Sequence, residues 1–124
     1  MQDAQNKRSV GETGEEAVCG FLMRHGYRLI CRNYTIKGGE IDIIAEKDGV
    51  TAFVEVKSRK EGSLTEGEDA VTPGKRRRII KTAETFLFRH GSDRQCRFDV
   101  AVVRLRDGKP VKIKYYVAAF DASM

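Results

Sequence analysis

Two segments of the chain carry apolar residues at the three- and four-residue spacing of an amphipathic helix, and we predict helices there. The first helix covers about Gly11–His25, and Ser9 with Glu12 is predicted to form a capping box at its start. The second covers Pro73–His90. The predicted buried stripes are Gly14, Ala17, Val18, Phe21 and Leu22 in the first helix and Ile79, Ile80, Ala83, Phe86 and Leu87 in the second.

Five further segments are rich in Ile and Val or alternate apolar with polar residues, which is typical of strands. The predicted strands are Tyr27–Tyr34, Glu40–Ala45, Thr51–Ser58, Arg97–Leu105 and Lys112–Phe120. Asp-Gly pairs at residues 48–49 and 107–108 predict tight turns that join the second strand to the third and the fourth to the fifth. We therefore predict an α/β fold with a mixed central sheet flanked by helices.

The hairpin around Asp48 and Gly49 places charged residues together. If these two residues form the turn, Ile41, Ile43 and Ala45 share an apolar face with Ala52, Val54 and Val56. Asp42 then lies directly opposite Glu55 on the other face, and Glu40 lies opposite Lys57. A slip of one residue would turn the whole apolar set outward, so the pattern favours this register.

Opposed like charges destabilise a sheet, so the Asp42–Glu55 pair indicates that a cation is bound between the two carboxylates. Paired hard oxygen ligands suit Mg²⁺ or Mn²⁺, which keeps its other positions for water and phosphate. Lys57 lies on the same face as Glu55 and could position or deprotonate a metal-bound water. The alternative is an exposed strand end with a Glu40–Lys57 ion pair and solvated carboxylates at Asp42 and Glu55.

The same residues resemble the PD-(D/E)XK nuclease signature, in which an acid on a first helix joins an Asp on one strand and (Asp/Glu)-X-Lys on the next. Asp42 matches the Asp, and Glu55-Val56-Lys57 matches the second part. The chain is identified as similar to the bacterial YraN family, which is related in fold to archaeal Holliday-junction resolvases. The motifs that carry this resemblance are Gly11 to Ala17, Arg32 to Tyr34, Gly39 to Asp42, Phe53 to Arg59 and Arg97 to Val100.

This resemblance implies a restriction-endonuclease-like core and an acid on the first helix that takes part in the catalytic site. Three glutamates are candidates, and Glu12 and Glu16 point away from the apolar stripe on a helical wheel. Glu15 lies on the rim of the stripe, from which it can reach the edge of the sheet. We therefore assign the helical acid to Glu15, and the alternative is a favourable charge near a helix start.

The start of the second helix is strongly basic. Thr72 and Pro73 are typical of an N-cap and a first helical residue, and Lys75 with Arg76, Arg77 and Arg78 follows at once. Cations oppose the helix dipole there, so the arrangement favours a bound phosphate, and we predict that they contact a nucleic-acid backbone together with Arg59. A solvated basic face is the alternative. A net charge of +5 and a pI near 9.2 favour a polyanionic partner.

The 124 residues are enough for one domain, which we place at residues 9–124 after a flexible N-terminus at residues 1–8. No apolar run or signal peptide is present, so we expect a cytoplasmic protein without membrane contact. The polar segment from Arg59 to Asp69 is interpreted as a flap over the site or a plain connection. We expect a Mg²⁺- or Mn²⁺-dependent endonuclease acting on nucleic acid, in the first place DNA, with branched DNA as a candidate substrate and a homodimer as a candidate assembly. The alternatives are a nucleic-acid-binding module without cleavage and a protein-interaction adaptor.

Overall fold

A computed structural model of the protein describes residues 2–62, 71–90 and 95–122, with the backbone alone described over residues 2–10. These parts of the chain form two helices and one five-stranded sheet. The helices are α1 (Gln2–Arg24) and α2 (Pro73–Arg89). The strands are β1 (Arg28–Ile36), β2 (Gly39–Lys47), β3 (Val50–Lys60), β4 (Gln95–Arg106) and β5 (Lys109–Phe120).

The strands lie in the sheet in their chain order, from β1 at one edge to β5 at the other. Only β3 and β4 are parallel among these neighbours, and α2 lies in the connection between them. The other three neighbouring pairs are antiparallel. The predicted α/β fold with a mixed sheet flanked by helices is therefore confirmed.

Each helix buries its apolar side against one face of the sheet, so the core has two layers. The cluster on the α1 face contains Val18, Leu22, Ile43, Ala45, Ala52, Val54, Ala101 and Val103. The cluster on the α2 face contains Ile41, Ile44, Phe53, Ile79, Ala83, Phe86, Phe98 and Val100. Both predicted helical stripes are buried or half-buried along their length.

The β2–β3 hairpin has the predicted turn. Asp48 and Gly49 have φ angles of 53° and 77°, the left-handed values that a tight Asp-Gly hairpin turn requires. Lys47 pairs with Val50, and the ladder continues in the predicted register as far as the Ile43–Val54 pair.

The start of α1 differs from the prediction, because the helix begins at Gln2 and continues through Ser9. The predicted capping box, in which Ser9 would begin the helix, is therefore wrong. The residues before Ser9 include Gln, Ala, Lys and Arg, which are good helix formers. The local start signal at Ser9 therefore does not determine where the helix begins. At the other polar segment, β3 continues through Arg59 to Lys60, and residues 63–70 lie outside the described residues, so the flap interpretation stays a prediction.

Two glycines allow the helices to approach the strands beside the charged cluster. A Cβ atom on Gly14 of α1 would collide with the Ser58 side chain on β3. A Cβ atom on Gly39 of β2 would collide with Thr82 and crowd the Arg78 carbonyl oxygen on α2. These close contacts fix the positions of the neighbouring acids, Glu15 and Glu40.

Asp99 of β4 is fully buried and joins β4 to β5. Its Oδ1 accepts from Arg97 Nε at 2.8 Å and from the Ala118 backbone N–H at 2.8 Å. Its Oδ2 accepts from Arg97 Nη2 at 2.9 Å and from the Tyr115 hydroxyl at 2.6 Å. Arg97 also contacts the Tyr27 hydroxyl, at 2.6 Å. The Arg97 to Val100 motif is thus a structural network in this fold.

Candidate functional site

The charged cluster lies where β2 and β3 stop pairing. Instead of a ladder pair with Glu55, the Asp42 side chain accepts the Val56 backbone N–H at 2.8 Å through Oδ2. Beyond that point Ile41 belongs to the α2-side core, so the predicted apolar face that joins Ile41 to Ile43 and Val56 is wrong at this end. A side chain has replaced a main-chain ladder bond, and the strands separate at the site.

Glu40 does not lie opposite Lys57 as the register predicted. It pairs instead with Thr35 of β1 and accepts from its hydroxyl at 3.3 Å. The Glu40–Lys57 ion pair, which belonged to the alternative interpretation, is not formed, because the β2–β3 ladder ends at the Ile43–Val54 pair and Lys57 contacts Glu55. Glu40 is exposed, and its charge still acts on Asp42.

The surroundings of Asp42 supply too little positive charge to stabilise its ionised carboxylate. Burial and the charge of Glu55 raise the pKa of its carboxyl to about 7, with smaller contributions from Glu15 and Glu40. The Val56 N–H opposes this rise and is too weak to cancel it. A proton or another cation at Asp42 is therefore stabilising at neutral pH.

Glu55 is buried, and two lysines share its carboxylate. Lys75 Nζ lies 2.8 Å from Glu55 Oε1, and Lys57 Nζ lies 3.5 Å from the same oxygen. Burial and the nearby Lys75 ammonium lower the pKa of Lys57. For Lys75, burial favours the neutral amine, but the bonds to Glu55 and Lys57 outweigh it and raise its pKa.

The contact of Lys75 with Glu55 was missed from the sequence, where Lys75 was grouped with the phosphate-binding residues. Only its position as the third residue of α2 signals the contact, since the first turn of a crossover helix lies near the strand it follows. Arg32 was missed as well, and it forms an ion pair with Glu15 at 3.4 Å. Its place in the Arg32 to Tyr34 sequence motif, in the middle of β1, was the available signal.

Glu15 faces the cluster from α1, as its position on the stripe rim suggested. Its side chain is half-buried, whereas Glu12 and Glu16 are exposed, and its charge contributes to the raised pKa of Asp42. Within the described ranges, however, no three His, Cys, Asp or Glu side chains are arranged to hold one metal ion. A site that uses all of Glu15, Asp42 and Glu55 therefore stays a prediction.

A two-carboxylate site fits the residues that are present. Asp42 and Glu55 supply hard oxygen donors, and the raised pKa of Asp42 indicates negative charge that the surrounding protein does not neutralise. Mg²⁺ is commonly held by one or two carboxylates, with water and substrate phosphate completing an octahedron. The donor set thus suits Mg²⁺ or Mn²⁺, and Glu15 is close enough to support such a site electrostatically.

The basic residues of α2 divide into two groups. Arg76 donates to the Val71 carbonyl oxygen at 3.0 Å, and its guanidinium lies 5.6 Å from the centre of the Phe120 ring. Arg77 and Arg78 are exposed at the same end of the helix. The Thr72 side chain caps the helix by accepting from the Lys75 N–H, as predicted. Arg76 is therefore held by contacts within the protein, whereas Arg77 and Arg78 are exposed to solvent.

Arg59 lies near the end of β3, half-buried, and donates to the Ser58 carbonyl oxygen at 3.0 Å. It lines an open cavity of about 300 Å³ with Ser58, Lys60, Leu105, Asp107 and Gly108. This cavity lies at the end of β3, the strand that also carries Glu55 and Lys57. In the parts of the chain that the structure describes, no helix is long and apolar enough to cross a membrane.

Comparison with known protein families gives one match, which covers most of the chain. Residues 14–103 match the model of the uncharacterised protein family UPF0102. This range contains Glu15, Asp42, Glu55, Lys57 and Lys75. The match therefore includes the whole charged cluster and, in the network around Asp99, the residues Tyr27, Arg97 and Asp99, while Tyr115 and Ala118 lie beyond its end.

Curated relatives extend the similarity to nearly the full length. A UPF0102 protein of Chlorobium phaeobacteroides is 46% identical over 110 residues, covering 86% of this chain and 85% of its own. One from Pelobacter propionicus is 44% identical over 119 residues, covering 94% and 85%. One from Symbiobacterium thermophilum is 47% identical over 116 residues, covering 93% and 98%. The names of these relatives state no activity.

Proposed function

The chain belongs to the UPF0102 family, which is the YraN family, and from this premise we propose that it is a metal-dependent endonuclease that hydrolyses nucleic-acid phosphodiesters. DNA is the first candidate substrate, and branched DNA is included. The observation that carries the proposal is the cluster of Asp42, Glu55 and Lys57 at the point where β2 and β3 separate. A cytoplasmic location is part of the same proposal.

The strand geometry supports this function over the alternative in which the charged side chains are ordinary solvated surface groups. A solvated surface carboxylate has no reason to be buried, yet Glu55 is 7% exposed and Asp42 accepts a main-chain N–H. Burial of like charges costs folding free energy, so such clusters are concentrated at functional sites. The alternative of solvated carboxylates at an exposed strand end does not fit these contacts.

Each residue has a role in this mechanism. Asp42 and Glu55 would hold Mg²⁺ or Mn²⁺, which when bound supplies charge stabilisation and an acidified water. Lys57 extends from the same strand as Glu55, and its lowered pKa favours taking a proton from an attacking water or hydrogen bonding to the phosphate. Glu15 supports Asp42 from α1. Arg77 and Arg78 would bind the nucleic-acid backbone without reading its sequence.

A cleavage panel tests this function. The purified protein is incubated with linear duplex, four-way junction, flap, single-stranded DNA and RNA, each with Mg²⁺, Mn²⁺ or EDTA. We expect metal-dependent cleavage that Asp42→Asn abolishes. Glu12→Gln, which changes an exposed acid on α1, is the matched control and should leave cleavage intact.

Two outcomes would overturn the proposal in different directions. Salt-sensitive binding without cleavage by any metal would identify a nucleic-acid-binding module, a function that the absence of a three-acid group in the described residues favours. Failure to bind any nucleic acid at low salt would favour a protein-interaction adaptor.

A further inference from the structure

Lys75 forms an ion pair with Glu55, which is one of the two proposed metal ligands, and this contact has a consequence for metal binding. Its ammonium lies 2.8 Å from Glu55 Oε1, closer than the 3.5 Å of Lys57. It reaches there from α2, which covers the opposite side of the cluster from α1. Glu55 Oε1 thus lies between one ammonium from its own strand and one from a helix.

The two lysines differ in how firmly the fold holds them. Lys57 is on the β3 backbone and its side chain is 14% exposed, so the strand fixes where it points. Lys75 is 33% exposed and reaches in from the first turn of α2. A lysine that is partly in solvent can leave a carboxylate by rotating its side chain, without movement of the backbone.

The ammonium of Lys75 repels a metal ion at Glu55, and an ion that takes Glu55 Oε1 would also compete with Lys75 for that oxygen. Carboxylate oxygens lie about 2.0–2.1 Å from Mg²⁺, and an ammonium at hydrogen-bond distance from the same oxygen competes for that space and charge. We propose that Lys75 is an internal cation that neutralises Glu55 in the metal-free protein and is displaced into solvent when a divalent metal binds. This inference rests on the proposed function, since it requires the metal site.

Once a metal ion has displaced it from Glu55, the Lys75 ammonium would lie beside the phosphate of an incoming substrate. The released ammonium would extend from the first turn of α2, and Arg77 and Arg78 follow in the next turn, near the helix start where a backbone phosphate would bind. Metal loading would therefore add a cation to the phosphate-binding surface. Lys75 is a positioning residue in this scheme, because it acts through Glu55 and the helix start.

Metal binding measured by calorimetry tests the competition without reference to cleavage. In Lys75→Met the competing charge is gone, and we expect Mn²⁺ to bind at least about tenfold more tightly than to the parent. Lys75→Arg keeps the charge and should keep the parent's weaker affinity. Lys81→Met removes an exposed charge further along α2 and is the matched control.

Lysine footprinting of the unmutated protein tests displacement directly, so the result does not depend on any variant folding. Amine acylation at Lys75, quantified by mass spectrometry, should rise at least about threefold when Mn²⁺ is added to EDTA-treated protein, because a lysine released from an ion pair becomes accessible. Lys81 is the internal control and should not change.

The outcomes separate this inference from the proposed function. Metal binding with unchanged Lys75 acylation, or with equal affinity in Lys75→Met, would overturn displacement and leave the metal site standing. A parent and a Lys75→Met variant that both fail to bind Mn²⁺ would overturn the metal site and displacement together.

Discussion

Asp42 is half-buried and Asp99 is fully buried in the same sheet, but the surroundings of these two aspartates are opposite in character. Asp99 receives Arg97 through two nitrogen atoms, a tyrosine hydroxyl and a backbone N–H. Asp42 receives one backbone N–H and faces the like charges of Glu55, Glu15 and Glu40. The first carboxylate is compensated by four donor contacts and stabilises the fold, whereas the second has one hydrogen-bond donor and a raised pKa.

The neighbours of the two acids reflect the same difference. The bond to Asp99 raises the pKa of Arg97, and burial together with Asp99 raises the pKa of Tyr115, so both keep their protons. Lys57 in the other cluster has a lowered pKa, since burial and Lys75 disfavour its charge. Arg97 and Tyr115 beside Asp99 are held more firmly in their protonated forms, whereas Lys57 beside Glu55 binds its proton less tightly.

The largest effect should follow from breaking the satisfied cluster. Asp99→Asn leaves Arg97 with a weaker partner in a buried setting, and we expect a loss of about 3 kcal/mol in the free energy of unfolding. Urea denaturation measures it. Glu61→Gln, which removes the acid of an exposed pair with Arg106, is the control and should leave the midpoint unchanged within error. Equal effects of the two changes would contradict the structural role of Asp99.

The same substitution at the unsatisfied cluster should act in the opposite direction. Asp42→Asn removes a half-buried charge that its neighbours repel, so in EDTA at pH 8 we expect it to be more stable than the parent by roughly 1–3 kcal/mol. It should also lose any rise in Tm that Mn²⁺ gives the parent. Four thermal melts, of parent and variant in EDTA and in Mn²⁺, measure both effects.

The pH dependence of that difference gives a further check. The folded pKa of Asp42 is raised from 3.8 to about 7, so the folded state binds the proton more tightly than the unfolded state. The parent's stability from this group is full below about pH 4 and is lost as the pH rises to about 7. The advantage of Asp42→Asn should therefore be absent at pH 4 and constant above pH 8. An advantage that is independent of pH would mean that this carboxyl is not the cause.

A smaller effect on stability, but a large one on chemistry, is expected at Lys57. Burial already disfavours its charge and Lys75 still neutralises Glu55, so Lys57→Met should cost less than about 1 kcal/mol. If the protein cleaves nucleic acid, the variant should lose that activity while it still binds DNA. Arg97→Met, the matched change in the satisfied cluster, should cost more stability. Full activity in Lys57→Met would exclude the assigned role.

The smallest effect on folding is expected for the exposed cations of α2. Replacing Arg77 and Arg78 together by Gln should leave Tm nearly unchanged and reduce the slope of log K against log salt for duplex DNA by about 1.8, since each phosphate contact contributes about 0.9. Replacing Lys109 and Lys112 of β5 by Gln removes the same charge from another surface as the control. Parallel salt titrations of the two double variants show which surface binds, and an unchanged slope for the α2 variant would exclude it.

The elements that depend on local patterns could be predicted from the sequence. The Asp48-Gly49 turn, the register of β2 with β3 near that turn, the Thr72 cap and the helical stripes all follow from residues close together in the chain. The predicted start of α1 was wrong because Ser9 is only a local signal, and the good helix formers before it extend the helix to Gln2. The confirmed fold class rests on these local features.

The predictions that were wrong, and the contacts that were not predicted, depend on contacts between distant segments. The hairpin register could not show that the β2–β3 ladder would end at the Ile43–Val54 pair and that the Asp42 side chain would accept the Val56 N–H instead. The contact of Lys75 with Glu55 requires the placement of α2. The motif around Asp99 was visible, but its partner Tyr115 lies on β5, which only the folded sheet brings into contact.

The parallel pairing of β3 with β4 has a consequence for the order in which the protein folds. β1, β2 and β3 are joined by short connections, whereas Glu55 meets Val100 only after α2 has crossed over the sheet. Pairings between distant residues form slowly because the intervening chain must first lose its freedom. We expect the three-stranded meander to form early with its acids close together, and arrival of α2 with Lys75 to complete the folding transition.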